Sequence, residues 1–265
     1  NHWDQFLYCS QLASSLGIWP WSDVFMSTET ANLLLSTLSA GVVGVGDAIG
    51  TESAANLYQS ILPNAVLVKP DAAIVPLDST YIAEAQAPPT ALPPMEACSG
   101  VARPGLSSAC VFCYQRSSGS GAISFTPEEA GVFSKAFVYN YFAQTGTVVG
   151  ANQQFTDNVT SSGSYYIVAP IGSSGIAFCG DAGKFVGLSK QRVSSLSDSG
   201  GVLHTVLYFA PNETSVTLFG FAPSQPVAAT SDGSLGSMRF NGSTGIFSFT
   251  ASPGADGNAA ITLHL

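Results

Sequence analysis

Along the first 85 residues the spacing of apolar positions changes several times. Trp3, Phe6, Leu7, Leu12 and Leu16 recur at the helical interval, and Gly17 follows as a stop signal, so the pattern predicts an opening helix. The run WPWSDVFM, residues 19–26, is short and rich in aromatic and β-branched residues, and reads as a strand. TANLLLSTLSAG reads as a second helix, closed by Gly41. VVGVG, residues 42–46, is continuous rather than alternating, the mark of a strand covered on both faces. ESAANLYQSIL makes a third helix. Strands alternating with helices predict a parallel sheet with crossover helices.

The stretch AEAQAPPTALPPMEA carries four prolines among small residues and predicts an extended surface linker, placed at residues 86–95. Beyond it the period changes. ACVFCYQ, AISFT, AFVYNYF, SYYIVAPI, GIAFCG, KFVGLS, VLHTVLYFA, SVTLFGFA, SMRFNGSTGIFSFTA and AAITLHL are short aromatic and β-branched runs separated by Gly, Ser, Asn and Pro. They predict an antiparallel β-sandwich over residues 96–265. The expected fold is thus α/β in residues 1–85 and all-β after the linker.

Composition narrows the function. Only 9% of the 265 residues are charged, the net charge is −9, and the eight Lys and Arg are scattered, so no basic footprint exists for nucleic acid. No uncharged apolar run approaches the roughly 20 residues of a membrane span, and none opens the chain as a secretory signal does. A mature or trimmed protein is expected. Three glycosylation triplets, at Asn158, Asn212 and Asn241, fall in stretches that read as polar turns. Together with five cysteines they point to a secreted, extracellular protein. Cys110 and Cys113 have no second pair or nearby His to complete a metal site, so no metal is expected, and a disulfide from Cys98 to Cys110 or Cys113 is favoured. The odd count leaves at least one thiol free or paired outside the chain.

Few residues could carry chemistry. In parallel βα architectures ligands sit at the carboxyl ends of strands, where Asp23 and Asp47 both fall. The alternative for each is a cap or loop carboxylate satisfied by nearby amides. Trp19 and Trp21 could form a sugar-stacking platform or fill a core layer. The glycines of GVVGVGDAIG lack the GK[ST] of a phosphate loop, and no other cofactor motif is present, so no cofactor is expected. His2, His204 and His264 are isolated and no G-x-S-x-G elbow occurs, which leaves serine hydrolase chemistry without support.

The order of WPWSDVF, LSAGVVGVGDAIG, SILPNAVLVKPD and VPLDSTYI resembles the end of the catalytic region of retaining α-galactosidase and raffinose-synthase-like glycoside hydrolases. The matching positions are Pro20, Asp23 and Phe25, then Ser39, Gly41, Asp47 and Gly50, then Leu62, Pro63 and Lys69. The resemblance covers about 80 residues. Val42 stands where the family tends to have proline, and Asn64-Ala65 where it has Asp-Gly. It implies that residues 1–85 are the last βα units of a TIM-type (β/α)8 barrel, with Asp23, Asp47 and Trp21 at the rim of a sugar pocket. The family's catalytic carboxylates lie on earlier strands, so no catalytic residue is expected in this chain, and alone it is expected to be inactive.

Two functions follow from these expectations. In the first, the chain is the C-terminal portion of a secreted α-glycosidase or transglycosidase with a retaining mechanism, acting on an α-galactoside or related sugar. Its partners are carbohydrate and the missing N-terminal barrel half or another subunit. In the second, it is a non-catalytic, glycosylated extracellular protein, structural or carbohydrate-binding, within a cell-surface or matrix assembly.

Overall fold

The computed structural model describes residues 2–88 and 90–265; Asn1 and Pro89, the latter in the predicted linker, lie outside the described residues. Helix α1 (His2–Ser15) buries Leu7 and Ser10, and Ser10 Oγ donates to the Ile74 carbonyl at 2.7 Å. Helix α2 (Thr30–Leu38) buries six of its nine residues, Leu33 to Leu38, as a helix apolar on most sides must. Helix α3 is one turn, Ala54–Leu57, opened by Ser53, whose Oγ accepts from the Asn56 amide.

The expected parallel sheet and barrel units are not formed. Residues 19–26 and 42–46 meet through one parallel bridge, Phe25 to Val45, with the Gly46 amide donating to the Phe25 carbonyl at 2.8 Å. The reasons are local. Pro20 has no N–H to give a ladder, and Asp23 takes φ 64°, a left-handed conformation that interrupts an extended run. Without a ladder the (β/α)8 reading of residues 1–85 fails.

A short strand, β1 (Val75–Pro76), precedes helix α4 (Asp78–Gln86), whose last residue reaches the predicted linker. All-strand structure then begins. In chain order the strands are β2 (Met95–Val101), β3 (Ser108–Tyr114), β4 (Ser120–Phe125), β5 (Ala136–Asn140), β6 (Thr145–Val149), β7 (Phe155–Thr160) and β8 (Ser164–Pro170). They continue as β9 (Ala177–Asp181), β10 (Val193–Ser199), β11 (Val202–Tyr208), β12 (Val216–Phe221) and β13 (Val227–Asp232). The last are β14 (Ser234–Leu235), β15 (Arg239–Asn241), β16 (Ile246–Ser252) and β17 (Asn258–His264). KFVGLS, read as a strand, is instead a series of turns that buries Phe185, Val186 and Leu188.

Among the described residues every pairing between named strands is antiparallel, and the architecture is sandwich-like. One sheet runs β1-β2-β3-β8-β5-β6, a second β10-β11-β17-β13, and a third β14-β16-β12-β9 with β15 also on β16. β4 and β7 form a separate two-stranded antiparallel pair. Strand β3 is buried along its whole length because it is covered on both faces. Cys110, Phe112 and Tyr114 enter one core cluster, while Ala109, Val111 and Cys113 enter another.

The first of these clusters crosses the predicted linker. Leu7, Leu33, Leu34, Leu35, Leu38 and Ile74 pack with Met95, Phe112, Tyr114, Tyr165 and Phe185. β1 pairs with β2 through Val75–Cys98 and Pro76–Ala97. A polar junction adds to this: Tyr8 Oη and Arg116 Nη1 both donate to Glu84 Oε2, the second at 2.8 Å, and Arg116 Nε donates to the Pro93 carbonyl at 2.7 Å. Burial raises the Tyr8 phenol to about 12, helped by its bond to Glu84. Burial alone would raise Glu84, yet the bonds from Tyr8 and Arg116 outweigh it and hold the carboxyl below its ordinary value.

The five cysteines are all free. The favoured disulfide is absent, and geometry excludes half of it. Cys98 lies directly opposite Val111 and so shares its face, whereas Cys110 points to the other side of the sheet. Cys98 and Cys113 do share a face, at a diagonal of the ladder. Burial raises the Cys98 thiol to about 11, and raises Cys113 as well.

Candidate carbohydrate-binding surface

Residues 19–26 and 42–47 lie side by side in parallel, as close neighbours. A Cβ on Gly41 would stand 2.5 Å from the Pro20 carbonyl oxygen, so only glycine allows this approach. Ideal Cβ atoms on Gly44 and Gly46 would touch the Val24 side chain at 3.4 Å, the distance of ordinary packing.

The register decides which predicted site residues meet. With Phe25 opposite Val45, Ser27 falls level with Asp47 and Asp23 level with Val43. Asp23 and Asp47 are thus four residues apart along the paired runs, about 13 Å at the rise of an extended chain. They do not share one pocket.

Their chemistry differs accordingly. Asp47 is half-buried and both its oxygens are occupied: Oδ2 accepts from the Ser27 amide at 2.8 Å and Oδ1 from Ser27 Oγ at 2.9 Å. Ser27 Oγ in turn accepts from the Ser53 amide at 2.7 Å, and Asn56 Nδ2 donates to the Ser27 carbonyl at 3.0 Å. The carboxylate therefore ties the loop after residue 46 to the start of α2 and the entry of α3. Asp23 is exposed, and its Oδ1 accepts from the next amide, Val24, at 2.7 Å. Beside it Trp21 is 57% exposed. Trp19 is exposed too, with Lys69 Nζ 4.7 Å from its ring centre and donating to the Ala40 carbonyl.

A cavity of about 540 Å³ opens next to this surface, and neither aspartate lines it. Its walls include Trp3, Phe6, Val24, Phe25 and Met26, with Ser22, Glu29 and Asn32 as polar groups. Trp3 Nε1 donates to Asn32 Oδ1 at 2.6 Å, and Asn32 Nδ2 donates to Glu29 Oε2 at 2.5 Å. This Trp-Asn-Glu chain was not singled out in the sequence. Its one signal is the three-residue spacing of Glu29 and Asn32 at the start of α2, and Trp3 arrives from 29 positions away.

Asn158, Asn212 and Asn241 are all exposed. Asn158 lies within β7 opposite Ala122, Asn212 sits in a turn at φ 66°, and Asn241 ends β15. Among the described residues no group of three His, Cys, Asp or Glu is placed to hold a metal ion. No helix among them is long and apolar enough to cross a membrane.

No protein-family model matches the chain, and no curated protein matches it. Among solved structures it is similar to a Bacillus halodurans protein described as a candidate alpha-N-acetylgalactosaminidase. The TM-score is 0.25 and the identity 10%, over 29% of this chain and 18% of that one. The chain thus spans less than a fifth of that protein's length. A likeness of that size carries nothing about activity.

Proposed function

We propose that this chain is the C-terminal portion of a secreted α-glycosidase or transglycosidase of retaining mechanism, acting on an α-galactoside or related sugar, with its catalytic carboxylates on polypeptide outside residues 1–265. In this reading residues 1–85 are the part that meets that polypeptide, 86–95 the connection, and 96–265 the β domain. Trp21 and Asp23 offer a ring face and a carboxylate to a sugar, and Asp47 holds the surface that presents them.

One observation carries the reading. Two of the four sequence segments that resemble the glycoside hydrolases come together at the Phe25–Val45 bridge, and the surface they make is apolar and open. Ile18, Trp19, Trp21, Val24, Met26, Val42 and Ile49 are all exposed there, Val42 to 69%. Clustered exposure of this kind marks a surface that meets another molecule in the working protein. The exposed Asn158, Asn212 and Asn241 support an extracellular setting, while the absent disulfide removes the cysteines from that argument.

The test is the native protein from its source. We expect the polypeptide or complex that contains this sequence to exceed 27.3 kDa and to hydrolyse an activated α-galactoside, with the 27.3 kDa chain inactive alone. A native 27.3 kDa monomer without sugar binding would sink the proposal, and turnover by the pure chain would place the catalytic carboxylates within it.

A further inference from the structure

We infer that a second cavity, on the β domain and away from residues 19–47, is a binding site for a short saccharide that carries an acidic group, such as a uronate. The cavity measures about 780 Å³, within the range of small-ligand sites. It does not depend on the glycosidase reading, since none of its residues belongs to the surface described above.

Alternation along strands builds the floor. Phe219 lies opposite Ser248, which lies opposite Arg239 on its other side, and Ile246 lies opposite Asn241. Residues two apart on a strand share a face, so Thr217, Phe219, Ile246, Ser248, Arg239 and Asn241 all point the same way. Leu218, Phe247 and Phe249 point the other way, into the core. The wall is the turn between β5 and β6, which brings Tyr141, Phe142 and Gln144 over this face. The Phe142 ring is 45% exposed and stands at 84° to Tyr141, at 5.6 Å between ring centres. It is thus a solvent-facing apolar ring. Tyr141 is held in turn by donating to Gln59 Oε1 at 3.0 Å.

The polar groups define the ligand. The chain has 17 Asp and Glu against eight Lys and Arg, yet among the described residues no carboxylate lines this cavity. Six of the eight basic side chains are engaged in hydrogen bonds, ion pairs or both: Lys69, Arg103, Arg116, Lys184, Lys190 and Arg192. Arg239 has no such partner among the described residues, and it lies in the cavity floor. A guanidinium without an internal carboxylate offers a two-pronged donor to an incoming one. Thr217 and Ser248 add hydroxyls on the same face. An aromatic plate, hydroxyl and amide groups, and one free guanidinium match a sugar ring with a carboxylate, whereas a purely apolar ligand would leave these polar groups without partners.

Calorimetric titration of the full chain with trigalacturonate and with neutral galactotriose tests this. Trigalacturonate should bind at least about tenfold more tightly than galactotriose, and more weakly as salt rises. Arg239→Ala and Phe142→Ala, both at exposed positions, should each weaken trigalacturonate by about tenfold or more without moving the melting temperature. Equal affinity for the two saccharides, no binding of trigalacturonate, or full affinity in Arg239→Ala would overturn the assignment.

Discussion

Ser27 gives both its amide and its hydroxyl to the two oxygens of Asp47, across 20 positions of sequence. Ser27 is fully buried. Loss of the carboxylate therefore strands a buried donor, and Asp47→Ala should cost about 1–3 kcal/mol in chemical denaturation. Asp23 is the contrast. It is exposed at φ 64°, a conformation glycine adopts freely, so Asp23→Gly should change stability by less than about 0.5 kcal/mol. Equal costs at the two positions would show that Asp47 is not the structural one. Under the proposed function Asp23→Gly should instead weaken sugar binding.

Arg192 is fully buried and holds Glu213 through two contacts, Nη2 to Oε1 at 2.5 Å and Nη1 to Oε2 at 2.8 Å. Its Nε lies 2.8 Å from Asp181 Oδ2, close but not aligned as a hydrogen bond. Burial alone would raise Glu213, but the bonds from Arg192 and from the Ala210 amide bring it below its ordinary value. A lowered folded value means that the carboxylate contributes stability above its unfolded pKa and loses it as pH falls through the folded one. Glu213→Ala should cost about 3–5 kcal/mol at neutral pH, because a buried guanidinium loses its main partner. The deficit should shrink on acidification. A constant deficit down to strongly acid pH would mean that the loss is one of packing.

How much of this could be read from the sequence depends on where the partners lie. Helices α1 and α2 show in the spacing of Trp3, Phe6 and Leu7 and in the leucine run of α2, because those signals are local. Strands β3, β5 and β8 show through their aromatic and β-branched runs. β10, VSSLSDS, was missed because it is largely open to water and carries almost no apolar residue. KFVGLS misleads in the opposite sense: Phe185, Val186 and Leu188 are buried by turns, and Gly187 comes so near the Asp181 carbonyl that a Cβ would stand 2.6 Å away. Asp47 could be located in the sequence but not its partner Ser27. The 780 Å³ cavity draws on residues from Gln59 to Ser248, and nothing local marks it.

Glu96 supplies a pH dependence of the other sign. Burial raises its carboxyl from the ordinary 4.5 to about 7; the Ser124 amide on Oε1 opposes this, nearby Glu129 adds to it, and Oε2 is buried without a partner. The folded chain thus holds this proton more tightly than the unfolded one. The stabilisation is full below about 4.5 and is lost as pH rises to about 7 and beyond. Relative to wild type, Glu96→Gln should gain about 1–3 kcal/mol between about pH 4 and pH 8. A difference independent of pH would show that Glu96 ionises freely.

The last prediction concerns the two sides of the linker. Leu7, Leu33, Leu34, Leu38 and Ile74 are fully buried, and they share their core with Met95, Phe112, Tyr114 and Tyr165. Separation exposes both halves of that core, and each fully buried Leu or aromatic side chain costs about 1.5–3 kcal/mol when returned to water. It also unpairs β1 from β2 and breaks the Arg116–Glu84 bridge. Residues 1–85 should therefore fail to fold when expressed alone, and residues 96–265 should melt at a lower temperature than the whole chain. Cleavage without separation is a different matter. Residues 90 and 91 are exposed, so a protease should cut there first, and the two pieces should then stay together in sedimentation because the shared core is intact. A folded, monomeric 1–85 fragment, or pieces that part freely after the cut, would show that the core across the linker contributes little to stability.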